Sequence, residues 1–571
     1  MPTLIEEPWT VPPRQPEMEK RLQEQLGVTS LVAALLVGRG WLDPEAAHKF
    51  LNPCLDDLGD PSLLPDYEIA KNEILGAKER GELIYIHGDY DVDGVTSASI
   101  LHRFLQVIGC KVETHVPHRM KEGYGIHTSA VEAAREAGAK LFLTCDCGSS
   151  AIEQIKAARE YGMRVVVTDH HTIGHEKPEA HAFINPHRED SQYKWAELSG
   201  AGVVFRLCEG LTREVGFPTD KYRRAFLDLA ALGTIADVMP LQGENRIIAK
   251  FGLERLGDTR KAGLQALKRE AKVSGPMRAY HVGFVLGPRL NAAGRIDDAA
   301  IALQLLLEND ELKAAELAAQ IEVINSKRRE EQNRVIEEAI NLVLEKGLDK
   351  KNVILVGHES WHAGIVGIVA GRLVERFGRP AFVGTVGTDG IGKASGRSID
   401  KFNLANALRA LPDQFLGGGG HAMAAGCSFE FDKIDRIADA LHEHAGQFLS
   451  EEDFVSVVRA DLEVDPGEVT QTALEQLAQM EPFGCSNPTP VFTARGITIT
   501  QVKPTKNPEH VRLTLKAGNG PFINGMGFGL GERMEALEPG TVANLLFKPC
   551  IDEWNGYRSV KWHVEDFVST S

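Results

Sequence analysis

The chain has 571 residues, 43% of them hydrophobic and 25% charged, which is too long for a single hydrophobic core and predicts three or four domains. Its formal charge is −17, so an anionic substrate must be met by a local basic surface or by bound cations rather than by the mean field of the protein. The opening MPTLIEEPWTVPPRQPEMEK lacks a basic stretch followed by an apolar one, and no apolar run is long enough to span a bilayer. These features predict a soluble, cytoplasmic protein without membrane partners. The eight cysteines (Cys54, Cys110, Cys145, Cys147, Cys208, Cys427, Cys485 and Cys550) are thinly scattered, unlike the dense framework of a disulfide-stapled domain, and are read as reduced.

An N-terminal segment is assigned to residues 1–50. Residues 51–308 form a first α/β domain, in which LIYIH, KVETHV, LFLTCD, RVVVTD and HAFINP read as strands. SASILHRFLQVIG and AIEQIKAAREYG read as helices between them, giving a largely parallel sheet. Residues 309–350 contain a polar, Ala- and Glu-rich stretch without Pro and without Gly until Gly347, which predicts one long connecting helix. A second α/β lobe, residues 351–452, opens at NVILVG and contains the Gly-rich LGGGGHAMAAG. Residues 453–571 change to strand-like pieces and turns, the texture of a small β-barrel. From residue 495 to the end there are nine Lys and Arg against eight Asp and Glu, the least acidic portion of the chain. Lys503, Lys506, Arg512, Lys516, Phe522 and Phe528 would suit a barrel that tracks a single strand by charge and stacking, although the aromatics fit a core equally well.

The chemistry-bearing residues cluster after strands. His87, Asp89, Asp91 and Asp93 lie in IHGDYDVDGVTS, between a strand and a helix, where open α/β sheets place ligand crevices. An EF-hand loop beginning at Asp89 is excluded, because its twelfth position is Ile100 rather than Glu. Asp146 follows LFLTC, and Asp169, His170 and His171 follow RVVVT. Asp237 stands in the apolar GTIADVMPL, where an unpaired carboxylate is costly to bury and a metal ion would resolve the cost. Cys145 and Cys147 have no second Cys/His pair at a zinc spacing and read as small buried residues. What remains is an oxygen and imidazole set, suited to manganese or magnesium more than to a thiolate-binding ion.

HGDYDVDG, TCDCGSS, VTDHHT, GTIADVMPL, RLNAAGRI and GGGGHAMAAG, in this order, resemble the motifs of the DHH phosphoesterase superfamily. With a C-terminal barrel, the whole chain resembles the RecJ-type exonuclease branch of that superfamily. The resemblance implies two α/β lobes, called DHH and DHHA1, joined by a long helix, and a C-terminal barrel of the OB type. It implies a two-ion site of Mn2+ or Mg2+ held by His87, Asp89, Asp91, Asp93, Asp146, His170 and Asp237, with Asp146 bridging. His171, Asp169 and Arg295 are then the residues of catalysis: His171 faces phosphate, Asp169 supports its neighbours, and Arg295 grips phosphate oxygens with Asn291 beside it. Ser395 and Arg397 of ASGRS suggest a 5′-phosphate pocket, and His421 follows glycines that let backbone approach a phosphate. The implied activity is 5′-to-3′ hydrolysis of single-stranded DNA to mononucleotides, with single-strand-binding protein and a RecQ-type helicase as associates. Alternatives are a DHH enzyme acting on short oligoribonucleotides or pAp, and a non-catalytic single-strand-binding scaffold.

Overall fold

The computed structural model describes residues 9–119, 122–123, 125–454, 458–554 and 556–570. The chain divides into two compact units, one of Gly59–Met239 and Phe251–Ser456, the other of Met1–Leu58, Pro240–Lys250 and Val457–Ser571.

The first of these units holds both α/β lobes. Strands β1 (Leu83–Gly88), β2 (Lys111–His115), β3 (Leu141–Cys145), β4 (Arg164–Thr168) and β5 (Ala182–Ile184) form a parallel sheet of order β2-β1-β3-β4-β5. Residues 141–145 are all buried, as the continuous apolar run LFLTC requires of a central parallel strand. Since all five strands run the same way, their carboxyl ends share one side of the sheet. Helix α1 (Val92–Val107) follows β1, with Asp91 as N-cap accepting from Gly94 N at 3.0 Å. Helices α2 (Gly200–Glu214) and α3 (Thr219–Ala236) pack with α1 and are buried along most of their length.

A π-helical turn over His281–Leu286 runs directly into α4 (Gly287–Ile296). Helix α5 (Glu311–Glu345) is 35 residues long, about 52 Å at the rise of an α-helix. Asp310 caps its start by accepting from Leu312 N and Lys313 N, and Gly347 follows its end at φ +64°. Ala314, Ala318, Ile321 and Ile324 bury one stripe, and Val335, Ala339 and Val343 continue it into the core of the second lobe. That lobe is a sheet of β6 (Ile354–Gly357), β7 (Ala381–Val386), β8 (Ile391–Arg397), β9 (Gly417–Gly420) and β10 (Ala424–Glu430), in the order β9-β10-β8-β7-β6.

In the other unit, β11 (Leu462–Glu463) lies parallel to the start of β12 (Phe492–Pro504). Strands β12, β13 (Val511–Ala517), β14 (Phe522–Gly527), β16 (Tyr557–Ser569) and β15 (Val542–Trp554) pair in that order, and β15 pairs back onto β12. The result is a closed five-stranded barrel without open edges. Phe547 and Trp562 stack at 3.8 Å inside it. Phe522 is 66% and Phe528 49% exposed, so these two aromatics are surface residues rather than core.

Residues 1–50, expected as a segment of their own, share the barrel's core: Leu22, Leu31, Leu35 and Phe50 cluster with Leu474, Met480, Phe492 and Trp562. Helix Ser30–Gly38 carries seven consecutive buried apolar residues from Leu31 to Val37, more than a free-standing segment can bury alone. No helix among the described residues is long and apolar enough to cross a membrane.

Candidate active site

The carboxyl ends of β1, β3 and β4 bring most of the predicted acidic and histidine residues to one place. Asp146, His170 and His171 form one group whose candidate ligand atoms all lie within 4.8 Å of one another; Asp93, His170 and Asp237 form a second, and Asp89, Asp91 and Asp146 a third. His170 Nε2 stands 3.1 Å from Asp146 Oδ1, 3.7 Å from Asp237 Oδ2 and 3.8 Å from Asp93 Oδ2.

Two glycines make this convergence possible. A Cβ on Gly200 would lie 2.6 Å from Cβ of Asp146, and one on Gly233 would lie 2.5 Å from Oδ1 of Asp93. The N-terminus of α2 meets Asp93, whose two oxygens accept from Gly200 N and Ala201 N at 2.6 and 2.9 Å. Asp146 itself sits in the left-handed region at φ +59°, a conformation rare outside glycine and asparagine and found at functional sites.

The electrostatics are those of a cation site. Burial and the charge of Asp91 push Asp93 up to about 7, and burial with Asp93 and Asp91 pushes Asp237 up to about 9. Burial and the surrounding carboxylates hold Asp146 and Asp89 well above the usual range. Burial pushes His170 down to about 4, keeping its imidazole neutral and able to ligate. Asp89 Oδ1, Asp146 Oδ1 and His170 Nε2 are buried without a hydrogen-bond partner. Buried lone pairs left this way are costly, and one divalent cation would satisfy several of them. The donor set therefore fits a hard divalent ion.

Asp169 has a different role in the geometry. Its Oδ1 accepts from His170 N at 2.8 Å and lies 2.8 Å from His171 Nδ1, and its Oδ2 accepts from Ser149 N at 2.8 Å. Burial opposes its charge, but the hydrogen bonds of His171 and Ser149 outweigh it and hold the carboxylate far below the usual range. His171 also loses by burial and gains more from Asp169, which raises it to about 9. It is thus cationic at neutral pH, with its side chain 40% exposed.

His87 is not drawn into these groups. It is fully buried, with its ring 5.6 Å from that of His115 and 6.0 Å from Phe142, and burial pushes it down to about 3. Asn291, on α4, accepts from Val92 N at 3.2 Å, which ties α4 to the aspartate loop. Arg295, from the same helix, donates to Gly364 O in the second lobe. Ser395 and Arg397 stand on β8, a strand rather than a turn. His421 follows β9, because Gly417–Gly420 pairs with β10 instead of forming a loop, and its ring is exposed.

The structure adds Arg119, which no motif marked. Burial lowers Arg295 to about 10 and also lowers Arg397, and in both the charge of Arg119 is the second cause. Guanidinium groups gathered within reach of one another are unfavourable until an anion joins them, and phosphate oxygens fit their forked donors.

Three family models match the chain: the DHH family N-terminal domain over residues 83–234, the DHHA1 domain over 349–447 and the RecJ OB domain over 460–566. Among curated relatives, the single-stranded-DNA-specific exonuclease RecJ of Bacillus subtilis (strain 168) is 38% identical over 563 residues, covering 98% of this chain and 70% of that protein. The RecJ of Dickeya dadantii (strain 3937) is 34% identical over 571 residues, covering 97% of this chain and 98% of its own. The crystal structure of RecJ in complex with Mn2+ from Thermus thermophilus superposes with a TM-score of 0.84 at 28% identity, over 99% of this chain and 80% of that one. With this identity and coverage, and with a metal-fit carboxylate cluster where the family carries its motifs, the chain belongs to the RecJ family of single-stranded-DNA-specific exonucleases.

Proposed function

We propose that this chain is a metal-dependent exonuclease that hydrolyses single-stranded DNA from its 5′ end and releases 5′-mononucleotides. The observation that carries the reading is the buried cluster of Asp89, Asp93, Asp146 and His170, in which lone pairs of Asp89, Asp146 and His170 lack partners. Asp89, Asp91, Asp93, Asp146, His170 and Asp237 would hold two Mn2+ or Mg2+ ions, and Asp146 belongs to two of the three candidate groups. Such ions, when bound, activate water and stabilise the attacking and leaving oxygens of an in-line displacement at phosphorus.

The side chains around this cluster account for the remaining steps. Asp169 fixes the ring of His171 and keeps it protonated, so that its other nitrogen can donate to a phosphate oxygen. Arg119 and Arg295 hold the backbone phosphates, with Asn291 fixing the loop of Asp91 and Asp93 below them. Ser395, Arg397 and His421 receive the terminal 5′-phosphate, which sets the polarity. Residues 51–308 act as the catalytic domain, 351–452 as the end-binding lobe with 309–350 connecting them, and 453–571 as a strand-binding barrel on which the exposed Phe522, below the Lys516 ammonium, offers a stacking face. Single-strand-binding protein and a RecQ-type helicase are the proposed associates, in the cytoplasm.

The test is digestion of 5′-labelled and 3′-labelled DNA and RNA oligomers with Mn2+. Early release of labelled mononucleotide from the 5′-labelled DNA alone is expected. Early release from the 3′ end would reverse the polarity and the role of Ser395 and Arg397, and preference for RNA would displace the substrate.

Metal removal gives a second expectation. Asp93 and Asp237 are raised from the ordinary carboxylate range to about 7 and about 9, so the stability tied to their protonated forms is present at acid pH and lost as pH climbs through those values. The raised His171 loses its contribution in the same direction, through about 9. Between pH 7 and 9 the protein in EDTA should therefore lose melting temperature. With saturating Mn2+ the carboxylates are ionised throughout and the loss should shrink. Parallel curves with and without Mn2+ would separate these carboxylates from metal binding.

A further inference from the structure

We infer that Tyr280 and Phe284 form a stacking platform for nucleobases of the single strand at the rim of the metal cluster, which rests on the function proposed above. The two rings lie 5.3 Å apart at 23°, and they are 62% and 74% exposed. Exposing two large aromatic faces together is unfavourable in water, and a planar apolar ligand would offset it.

Their position follows from the backbone. Phe284 lies in the π-helical turn that runs into α4. A Cβ on Gly287, at the junction, would come within 3.5 Å of Ala236 Cβ, so the turn is seated against the residue that precedes Asp237. Val238, which follows Asp237, is 66% exposed and held at φ +59°, an unusual backbone for a β-branched residue. Val238, Tyr280 and Phe284 are thus exposed apolar side chains on the two segments that meet where Gly287 approaches Ala236, one residue before Asp237. Asn291, seven residues beyond Phe284, is two turns further along the same helical path and touches the loop of Asp91 and Asp93.

The π turn is held in place rather than loose. Arg289 donates to Val285 O inside it at 2.8 Å and to Glu322 of α5 at 2.6 Å. Single π turns in α-helices frequently mark functional sites. Here the turn carries an aromatic pair on the segment seated against Ala236, next to the residue Asp237 of a cation-fit cluster whose own side chains are polar. The guanidinium groups of Arg119, Arg295 and Arg397 suit the backbone of a nucleic acid, and stacking suits its bases.

The test is a cycle on the full chain, binding a fluorescent 5′-phosphorylated oligothymidine in EDTA, where no hydrolysis occurs. The oligomer is compared with copies that carry one abasic position each, for wild type, F284A, Y280A and F284W. Wild type should lose about tenfold in affinity at one or two abasic positions, F284A and Y280A should be insensitive there, and F284W should recover the sensitivity. In turnover with Mn2+, F284A should raise KM by a similar factor and leave kcat within about twofold. An abasic penalty that persists undiminished in F284A and Y280A would overturn the platform, as would unchanged DNA affinity in both variants, which would leave the surface to a protein partner. Cleavage of the unmodified oligomer by wild type is scored separately: if it succeeds while the cycle is uncoupled, only the platform falls. Failure of wild type both to bind and to cleave removes the proposed function and the platform with it.

Discussion

Replacing Asp146 by Asn should abolish hydrolysis and at the same time stabilise the metal-free protein. Asp146 is 2% exposed, lies 3.1 Å from His170 Nε2, and stands among Asp89, Asp91, Asp93 and Asp237. It belongs to two of the three candidate metal groups, so its loss disturbs ligands on both sides of the cluster. A metal site supplies several kcal/mol of charge stabilisation in the transition state, and each ~1.4 kcal/mol is a factor of ten, so turnover should fall by about three orders of magnitude or more. Without metal the balance reverses. Burial and four like charges work against the Asp146 carboxylate, and an amide of the same shape relieves both. Asn also tolerates the left-handed backbone at φ +59°, which keeps the fold out of the comparison. In EDTA the variant should melt above wild type, and saturating Mn2+ should raise wild type more than the variant. Strand binding in EDTA should change little, because Arg119, Arg295 and Arg397 are untouched. Turnover near the wild-type level would remove Asp146 from the metal site, and a melting temperature below wild type in EDTA would show that its carboxylate is structural.

Most of the cluster was legible before any coordinates. Asp89, Asp91, Asp146 and the DHH triplet follow apolar runs that could only be buried strands, and a parallel sheet gathers the ends of its strands. His87 stands apart from the three groups for a local reason. It lies within β1, opposite Thr144 of β3 and His115 of β2, so its side chain turns to a sheet face, whereas Asp89 and Asp91 lie beyond the strand end and reach the cluster. Arg119 follows β2 in a loop without a motif, and only the proximity of Arg295 and Arg397 reveals it. The four glycines at 417–420 suggest a loop by composition. Strand pairing is made by backbone groups, however, and β10 supplies the partner without help from side chains. The packing of residues 1–50 into the barrel's core is the least legible feature. Leu22 and Phe50 meet Phe492 and Trp562 more than 400 residues away, and no local periodicity carries a contact of that range.

That long-range core leads to the second large expectation, at Arg246. Its side chain is 2% exposed and has no carboxylate partner among its hydrogen bonds. Nε donates to Phe50 O at 2.7 Å, Nη1 to Met480 O at 2.9 Å, and Nη2 to Gln479 O and Glu481 O at 2.9 Å each. The guanidinium also lies 4.0 Å from the Phe50 ring centre. One residue of the Pro240–Lys250 segment thus holds the end of the N-terminal segment to the turn that precedes the barrel strands. Burial lowers its pKa to about 10, which still leaves it charged at neutral pH. Arg246→Met keeps much of the volume and removes every donor. Met480 O keeps the bond from Asn487, but Phe50 O, Gln479 O and Glu481 O lose the Arg246 donor. The buried Phe50 O costs roughly 1–3 kcal/mol when left without a donor, and the part-buried Gln479 O and Glu481 O cost less because water can reach them, so the loss should be about 2–4 kcal/mol for the unit that contains the barrel. For a unit of this size that corresponds to a fall of roughly 4–16 °C in its melting temperature. Lysine should rescue little, because one ammonium cannot present the planar fork that reaches four carbonyls. Hydrogen exchange gives the localised reading: amides of residues 30–51 and 492–504 should lose protection together, while those of β1, β3 and β4 keep theirs. A melting shift under about 2 °C, or a loss of protection confined to residues 240–250, would mean that the apolar core of Leu22, Phe50, Met480 and Trp562 holds these segments without the arginine.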